Sequence, residues 1–189
     1  ESSNPFYARV PEIMQRAMDR VGALTGRPYK LFRYVGHPLA DRVVVVIGSA
    51  FEVLEDTAAW LNANGEKVGV LQVTLYRPWD AVRFRAALPP TVKRIAVLDR
   101  TKEAGGPGEP LYLDVLTTYA EALAADRIAA MPVIVGGRYG LSSKDFDPAM
   151  AKAVFDELKK PEPKRGFTVG INDDVTHTSL PFDPSFRLD

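Results

Sequence analysis

The segment Val43-Val44-Val45-Val46-Ile47 is five consecutive β-branched residues with no polar alternation. A strand with one wet face alternates apolar and polar side chains, so an unbroken run of this kind belongs to a strand buried on both faces, as in a parallel sheet. The run stops at Gly48-Ser49, and Leu54, Ala58 and Leu61 then form one face of a helix over about 51–64, closed by Gly65. The alternation recurs three times. A strand at 68–73 precedes a short helix at 80–88, and a strand at 95–98 precedes a helix at 111–123 opened by Pro110. A strand at 133–135 precedes a helix with Asp147 as N-cap, Pro148 at its first position, Lys159 and Lys160 in its last turn and Pro161 as stop. Strands and helices alternating at this spacing specify βαβ units. The fold class is therefore α/β, an open, doubly wound, mostly parallel sheet flanked by helices.

Two segments flank this pattern. From Pro11, the residues Met14, Ala17, Met18, Val21 and Leu24 follow helical spacing, with Pro11 expected in the first turn and Gly26 just past the end, before an extended piece at 31–35. Beyond Pro161 the composition changes: Pro161, Pro163, Pro181 and Pro184 punctuate a stretch with one strand candidate, 167–171. Residues 1–162 are thus expected to form the α/β domain, and 163–189 a linker or arm towards a next domain. A chain that opens at Glu1, with neither a start methionine nor a signal peptide, is expected to be a piece of something longer.

Composition removes several kinds of chemistry. The 189 residues include no cysteine, so this chain offers no thiolate nucleophile, no disulfide and no thiolate to zinc or an iron–sulfur cluster. Its 24 basic and 24 acidic residues cancel, which argues against nucleic acid or a membrane surface as partner. No apolar run approaches the ~18 residues of a membrane span. Phosphate-loop, nucleophile-elbow and thiamine-diphosphate motifs are missing. Gly106, Gly108 and Leu111 make a G-x-G-x-x-L, but Pro107 removes an amide donor, so a turn-rich loop is expected there. His37 and His177 are far apart in sequence and read as surface or hydrogen-bonded histidines. Asp173 and Asp174 read as a loop-bonding or docking pair, Trp60 and Tyr76 as packing residues, and Trp79 after Pro78 as either a packing residue or the cover of a helix start.

Topology supplies the one suggestive constellation. Ligands and partners of an open parallel sheet bind outside the carboxyl ends of its strands. The segments there are Gly48-Ser49, 74–78, 99–103 and 136–140, which bring Arg77, Arg100, Lys102 and Arg138 to one edge, with Glu103 beside them. Asp80, Asp99 and Glu103 are near enough in sequence to neutralise these cations in internal salt bridges. Two readings stay open: an edge that recognises an anionic group or an acidic neighbouring domain, and ordinary internal structure.

Several segments in order resemble one known module. They are Arg27-Pro28-Tyr29-Lys30-Leu31-Phe32, Tyr34-Val35-Gly36, Val46-Ile47-Gly48-Ser49, Leu75-Tyr76-Arg77-Pro78, Asp99-Arg100-Thr101-Lys102-Glu103, Gly108-Glu109-Pro110-Leu111-Tyr112, Gly137-Arg138-Tyr139-Gly140 and Gly170-Ile171-Asn172-Asp173-Asp174-Val175-Thr176. The module is core domain II of pyruvate:ferredoxin (flavodoxin) oxidoreductase, similar to the C-terminal domain of transketolase. The resemblance implies a cytoplasmic enzyme, larger than this chain, that turns pyruvate and coenzyme A into acetyl-CoA and CO2. It implies thiamine diphosphate, Mg2+ and [4Fe–4S] clusters held elsewhere in a homodimer, with ferredoxin or flavodoxin as electron acceptor. This domain would bind none of these cofactors and would be a scaffold packed on other domains of the same polypeptide. Ala104-Gly105-Gly106-Pro107 departs from the family pattern, where proline is expected directly after the glutamate. The alternatives are a module that binds an anion such as coenzyme A or a nucleotide, and the same domain in another 2-oxoacid oxidoreductase or a sulfite reductase flavoprotein subunit.

Overall fold

The structure is a computed structural model that describes residues 1–173 and 175–188. Its elements run α1 (Asn4–Thr25), β1 (Phe32–Gly36), β2 (Arg42–Val46), α2 (Ala50–Ala63), β3 (Val68–Val73), α3 (Ala81–Ala86), β4 (Arg94–Asp99), α4 (Pro110–Ala124), β5 (Val133–Arg138), a 3-10 turn (Leu141–Ser143), α5 (Pro148–Glu157) and β6 (Phe167–Thr168). One six-stranded sheet holds them in the order β1-β3-β2-β4-β5-β6. Every neighbouring pair is parallel except β1 with β3. The valine run lies at the centre, with Val44 opposite Val70 on one side and Ala96 on the other, and Val43 to Val46 have no exposed surface.

Burial on both faces follows from the crossovers. Helices α2 and α5 cover one face, where Phe51, Leu54, Phe155 and Leu158 close on Val44, Val46 and Leu98. The other face buries Phe84, Leu111, Val115 and Tyr119 against Val43, Val45 and Val97. Each such large side chain contributes roughly 1.5–3 kcal/mol. Trp79 is a packing residue in this second layer: its Nε1 donates to Thr118 Oγ1 at 2.7 Å and its ring packs against Phe32 and Phe84. Asp147 caps α5 as its sequence suggests, accepting from Met150 N at 2.9 Å.

Three expectations need correcting. Helix α1 starts at Asn4, not at Pro11, which lies inside it and is its one buried residue. Proline forfeits one N–H bond to the preceding turn, but here its ring is packed and the helix continues through it. Lys159 and Lys160 fall just beyond α5 and pair with Glu66, Asp156 and Glu157. The domain core also does not end at 162. Phe167, Val169 and Leu180 are buried in the first layer, and Leu180 N donates to Thr168 O at 2.7 Å. Phe167 sits over Gly137 so closely that a Cβ there would lie 2.2 Å from its ring, and Phe186 meets Trp60 edge-on at 5.0 Å. The proline-punctuated segment therefore lies against its own sheet, because its apolar residues gain more by covering that edge than by facing water.

Candidate docking site

The carboxyl end of the sheet is a crevice at a switch point. From β2 the chain crosses to β3 on one side, while β4 lies on the other, so the loops after β2 and β4 diverge above the sheet. Gly48 and Ser49 are exposed on the β2 side and lead into α2; the Ser49 hydroxyl makes no capping bond. Arg100, Lys102 and Glu103 are exposed on the β4 side. Arg100 Nη1 approaches Ser49 Oγ at 3.5 Å, a long and weak contact. The Arg100 side chain lies over Gly140, where a Cβ would come within 2.9 Å of Nε and where φ is +60°. Below it, Tyr139 donates from its hydroxyl to Ile47 O at 3.0 Å, tying the end of β5 to the end of β2.

Apart from the exposed Glu103, the acids at this edge are committed to the fold. Asp99, at the end of β4, is buried and caps α4: its two carboxylate oxygens accept from Leu111 N at 3.0 Å and Tyr112 N at 3.1 Å. Burial pushes its carboxyl up from the ordinary range, against the pull of those two amides. Glu109 is buried too and accepts from Arg138 Nε at 2.5 Å, while Arg138 Nη1 donates to Gly166 O at 2.9 Å. Asp114 accepts from Arg77 Nη2 at 2.8 Å, and the Arg77 guanidinium stacks 3.9 Å over the Tyr76 ring. Asp80 turns away, capping α3 through Arg83 N at 2.9 Å and pairing with the Arg83 guanidinium.

The four cations therefore separate. Arg138 is turned inward, and Arg77 is half-exposed and paired. Arg100 and Lys102 form no ion pair among the described residues, and neither does Glu103. The partners that neutralise Arg77 and Arg138 are 37 and 29 positions away, which explains why sequence proximity pointed instead to Asp80, Asp99 and Glu103. One signal could have found Glu109: a carboxylate directly before Pro110, at the start of a helix whose first turn must be covered.

The other candidates take local roles. Gly108 and Gly136 pack on the Tyr112 ring, with Cβ positions 2.6 and 2.9 Å from it, so Gly108 of the G-x-G stretch makes room for an aromatic side chain. His37 Nδ1 accepts from Leu39 N at 3.0 Å, and the His177 carbonyl accepts from Lys164 Nζ at 2.9 Å. Asp173 accepts from Val175 N at 3.0 Å and Thr176 N at 2.9 Å, and from the Thr176 and Thr178 hydroxyls; these donors hold its carboxyl well below the usual range. Asp174 lies outside the described residues. The chain has no thiolate for an iron–sulfur cluster, and among the described residues no group of three His, Asp or Glu side chains could hold a metal ion.

Fold and edge together define a doubly wound α/β domain with a cationic carboxyl-end rim. The family model for pyruvate:ferredoxin oxidoreductase core domain II matches residues 40–141, more than half of the chain, and the chain belongs to that family. It is 58% identical, over its full length, to a pyruvate-flavodoxin oxidoreductase of Rhodospirillum rubrum, of which it spans 16%. Over 95% of its length it is 54% identical to the pyruvate:ferredoxin oxidoreductase of Moorella thermoacetica, of which it spans 15%. A 54% identical pyruvate-flavodoxin oxidoreductase of Trichormus variabilis is likewise matched along the whole chain, which covers 16% of it. The chain thus spans about one sixth of the length of these relatives.

Proposed function

We propose that this chain is a non-catalytic assembly domain of a cytoplasmic pyruvate:flavodoxin or pyruvate:ferredoxin oxidoreductase, residues 163–189 carrying the chain on towards the next domain. The larger enzyme would decarboxylate pyruvate oxidatively to acetyl-CoA and CO2 and pass the electrons to flavodoxin or ferredoxin, with thiamine diphosphate, Mg2+, iron–sulfur clusters and coenzyme A bound by other domains of a homodimer. The observation that carries the reading is the asymmetry of the rim. Asp99, Glu109 and Asp114 spend their oxygens within the domain, and Arg100 and Lys102 are left facing outward. An outward cation pair at the end of a sheet steers and orients an acidic neighbouring surface and contributes more to register than to affinity.

A second reading rests on the same crevice. Gly48, the Ser49 hydroxyl, which caps no helix amide, and Arg100 sit at the switch point where α/β sheets take small ligands, which suits an anion such as coenzyme A or a nucleotide. Two measurements separate the readings. Calorimetric titration of the full polypeptide and of its Arg100→Glu/Lys102→Glu variant with coenzyme A is expected to give the same affinity, because the rim meets protein. Arg100→Ala is expected to impair assembly or pyruvate oxidation while leaving the melting temperature of the 189-residue chain nearly unchanged. A large loss of coenzyme A affinity in the charge-reversed variant refutes the assembly role, and a large loss of intrinsic stability in Arg100→Ala assigns the rim to internal structure.

A further inference from the structure

Helix α1 meets its own domain along a narrow line. Pro11 is buried, Met18 packs on the second layer, Gln15 donates from Nε2 to Tyr29 O at 3.0 Å and accepts from Leu31 N at 3.2 Å, and Gly22 lies so close to Arg27 O that a Cβ would come within 2.8 Å. With 3.6 residues per turn, these four positions occupy a sector of only about 60°. The next sector, roughly 120° wide, is apolar apart from the terminal Thr25, and it is open to solvent. Phe6 is 71% exposed, Tyr7 60%, Val21 46% and Leu24 87%, with Ile13 and Met14 between them. Arg9, Arg16 and Arg20 line its far border; Arg16 pairs with Glu12, whereas Arg9 and Arg20 form no ion pair among the described residues.

We infer that this face of α1 seats another domain of the same polypeptide, one that presents an apolar patch bordered by carboxylates. The inference rests on the reading of the chain as one domain of a larger enzyme. Area decides between that occupant and a second copy of the chain. A 22-residue helix is about 33 Å long, and a strip ~10 Å wide along it offers roughly 330 Å2. Two such faces bury roughly 660 Å2, well short of the ~1,200 Å2 that a stable complex of free partners needs. A tethered neighbour escapes that requirement, since linkage gives it an effective concentration in the millimolar range. Relatives of which the chain spans 16% have ample sequence to supply such a neighbour. The arginine border sets its sign: carboxylates on the partner would meet Arg9 and Arg20.

Hydroxyl-radical footprinting of the native full-length polypeptide tests this. Tyr7, Met14 and Leu24 are expected to oxidise roughly tenfold more slowly than in the denatured polypeptide, to the same extent at every protein concentration. Val21→Lys/Leu24→Lys should restore fast oxidation at Tyr7 while Phe51 and Phe84 stay protected, which checks that the domain is folded. Oxidation within about twofold of the denatured rate overturns the inference, and protection that fades on dilution overturns it in favour of a second copy. The intact mass of the natural product keeps the two levels apart. A product of 20.8 kDa removes the larger-enzyme reading, whereas a larger product with an unprotected α1 removes only the inference about this face.

Discussion

Arg138→Ala separates a structural cation from a docking one. Glu109 is only 2% exposed at its side chain and Arg138 17%, and the pair is closed at 2.5 Å. Deleting the arginine leaves a carboxylate with no countercharge in a site that water does not reach, and also removes the bond to Gly166 O, which links the end of β5 to the turn before β6. Breaking a buried pair from one side costs about 3–5 kcal/mol. For a domain of this size each kcal/mol moves the melting temperature by about 2–4 °C, so Arg138→Ala should melt roughly 6–20 °C below the parent chain. Calorimetry or circular dichroism on the 189-residue chain reads this directly. The cost belongs to the stranded charge, so Arg138→Met/Glu109→Leu, which removes both partners and keeps their volume, should recover more than half of the loss. A single variant that melts within about 2 °C of the parent, or a double variant as unstable as the single, would refute the reasoning and return Arg138 to the outward rim.

Three further outcomes are expected. Asp99→Ala strips the amide acceptors from the start of α4 and should cost about 0.5–2 kcal/mol in denaturant unfolding, with Asp99→Asn, which keeps one acceptor, falling between. Burial pushes the phenols of Tyr34 and Tyr119 from 10.0 up to about 12. The folded chain then holds these protons more tightly than the unfolded one, so their contribution is complete below pH 10 and lost as pH rises from about 10 to about 12; phenolate absorbance that completes near 10 in the folded chain contradicts this. Asp173→Ala removes the acceptor shared by Val175 N and Thr176 N, and hydrogen exchange at those two amides should speed up about fivefold for each bond lost; unchanged exchange means that the turn stands without the carboxylate.

The parts of the fold readable in advance are those set by neighbours in sequence. Five β-branched residues in a row require burial on both faces, and Asp147-Pro148 opens a helix through contacts spanning three residues. What escaped depends on residues that meet only after folding. A proline inside α1 is tolerated because its ring is packed, which no local rule conveys. The arm after Pro161 looks like a tether by composition, yet Gly137, thirty positions earlier, leaves the space into which Phe167 fits. At the candidate site the identity of the cations was legible but their division was not. Arg77 and Arg100 are both arginines just after a strand, and Asp114, on a helix behind the first, distinguishes an ion-paired side chain from one with no ion pair among the described residues.

That division changes what a net charge of zero means for this chain. Asp99, Glu109 and Asp114 are directed to helix amides and guanidinium groups, so Arg100 and Lys102 against Glu103 leave the crevice rim with a positive balance although the whole is neutral. The face of α1 is apolar and lies on a different element. Two surfaces of such unlike chemistry respond oppositely to salt: the reach of Arg100 and Lys102 shrinks with the Debye length from about 10 Å at 0.1 M to about 3 Å at 1 M, whereas apolar burial holds or strengthens under kosmotropic salts. A domain held by both should therefore lose its register on the acidic neighbour before it loses contact along α1. Raising the ionic strength around the full-length polypeptide should uncover Arg100 and Lys102 to arginine- and lysine-directed reagents while Tyr7 and Met14 stay protected, and simultaneous exposure would mean that one contact, not two, seats the domain.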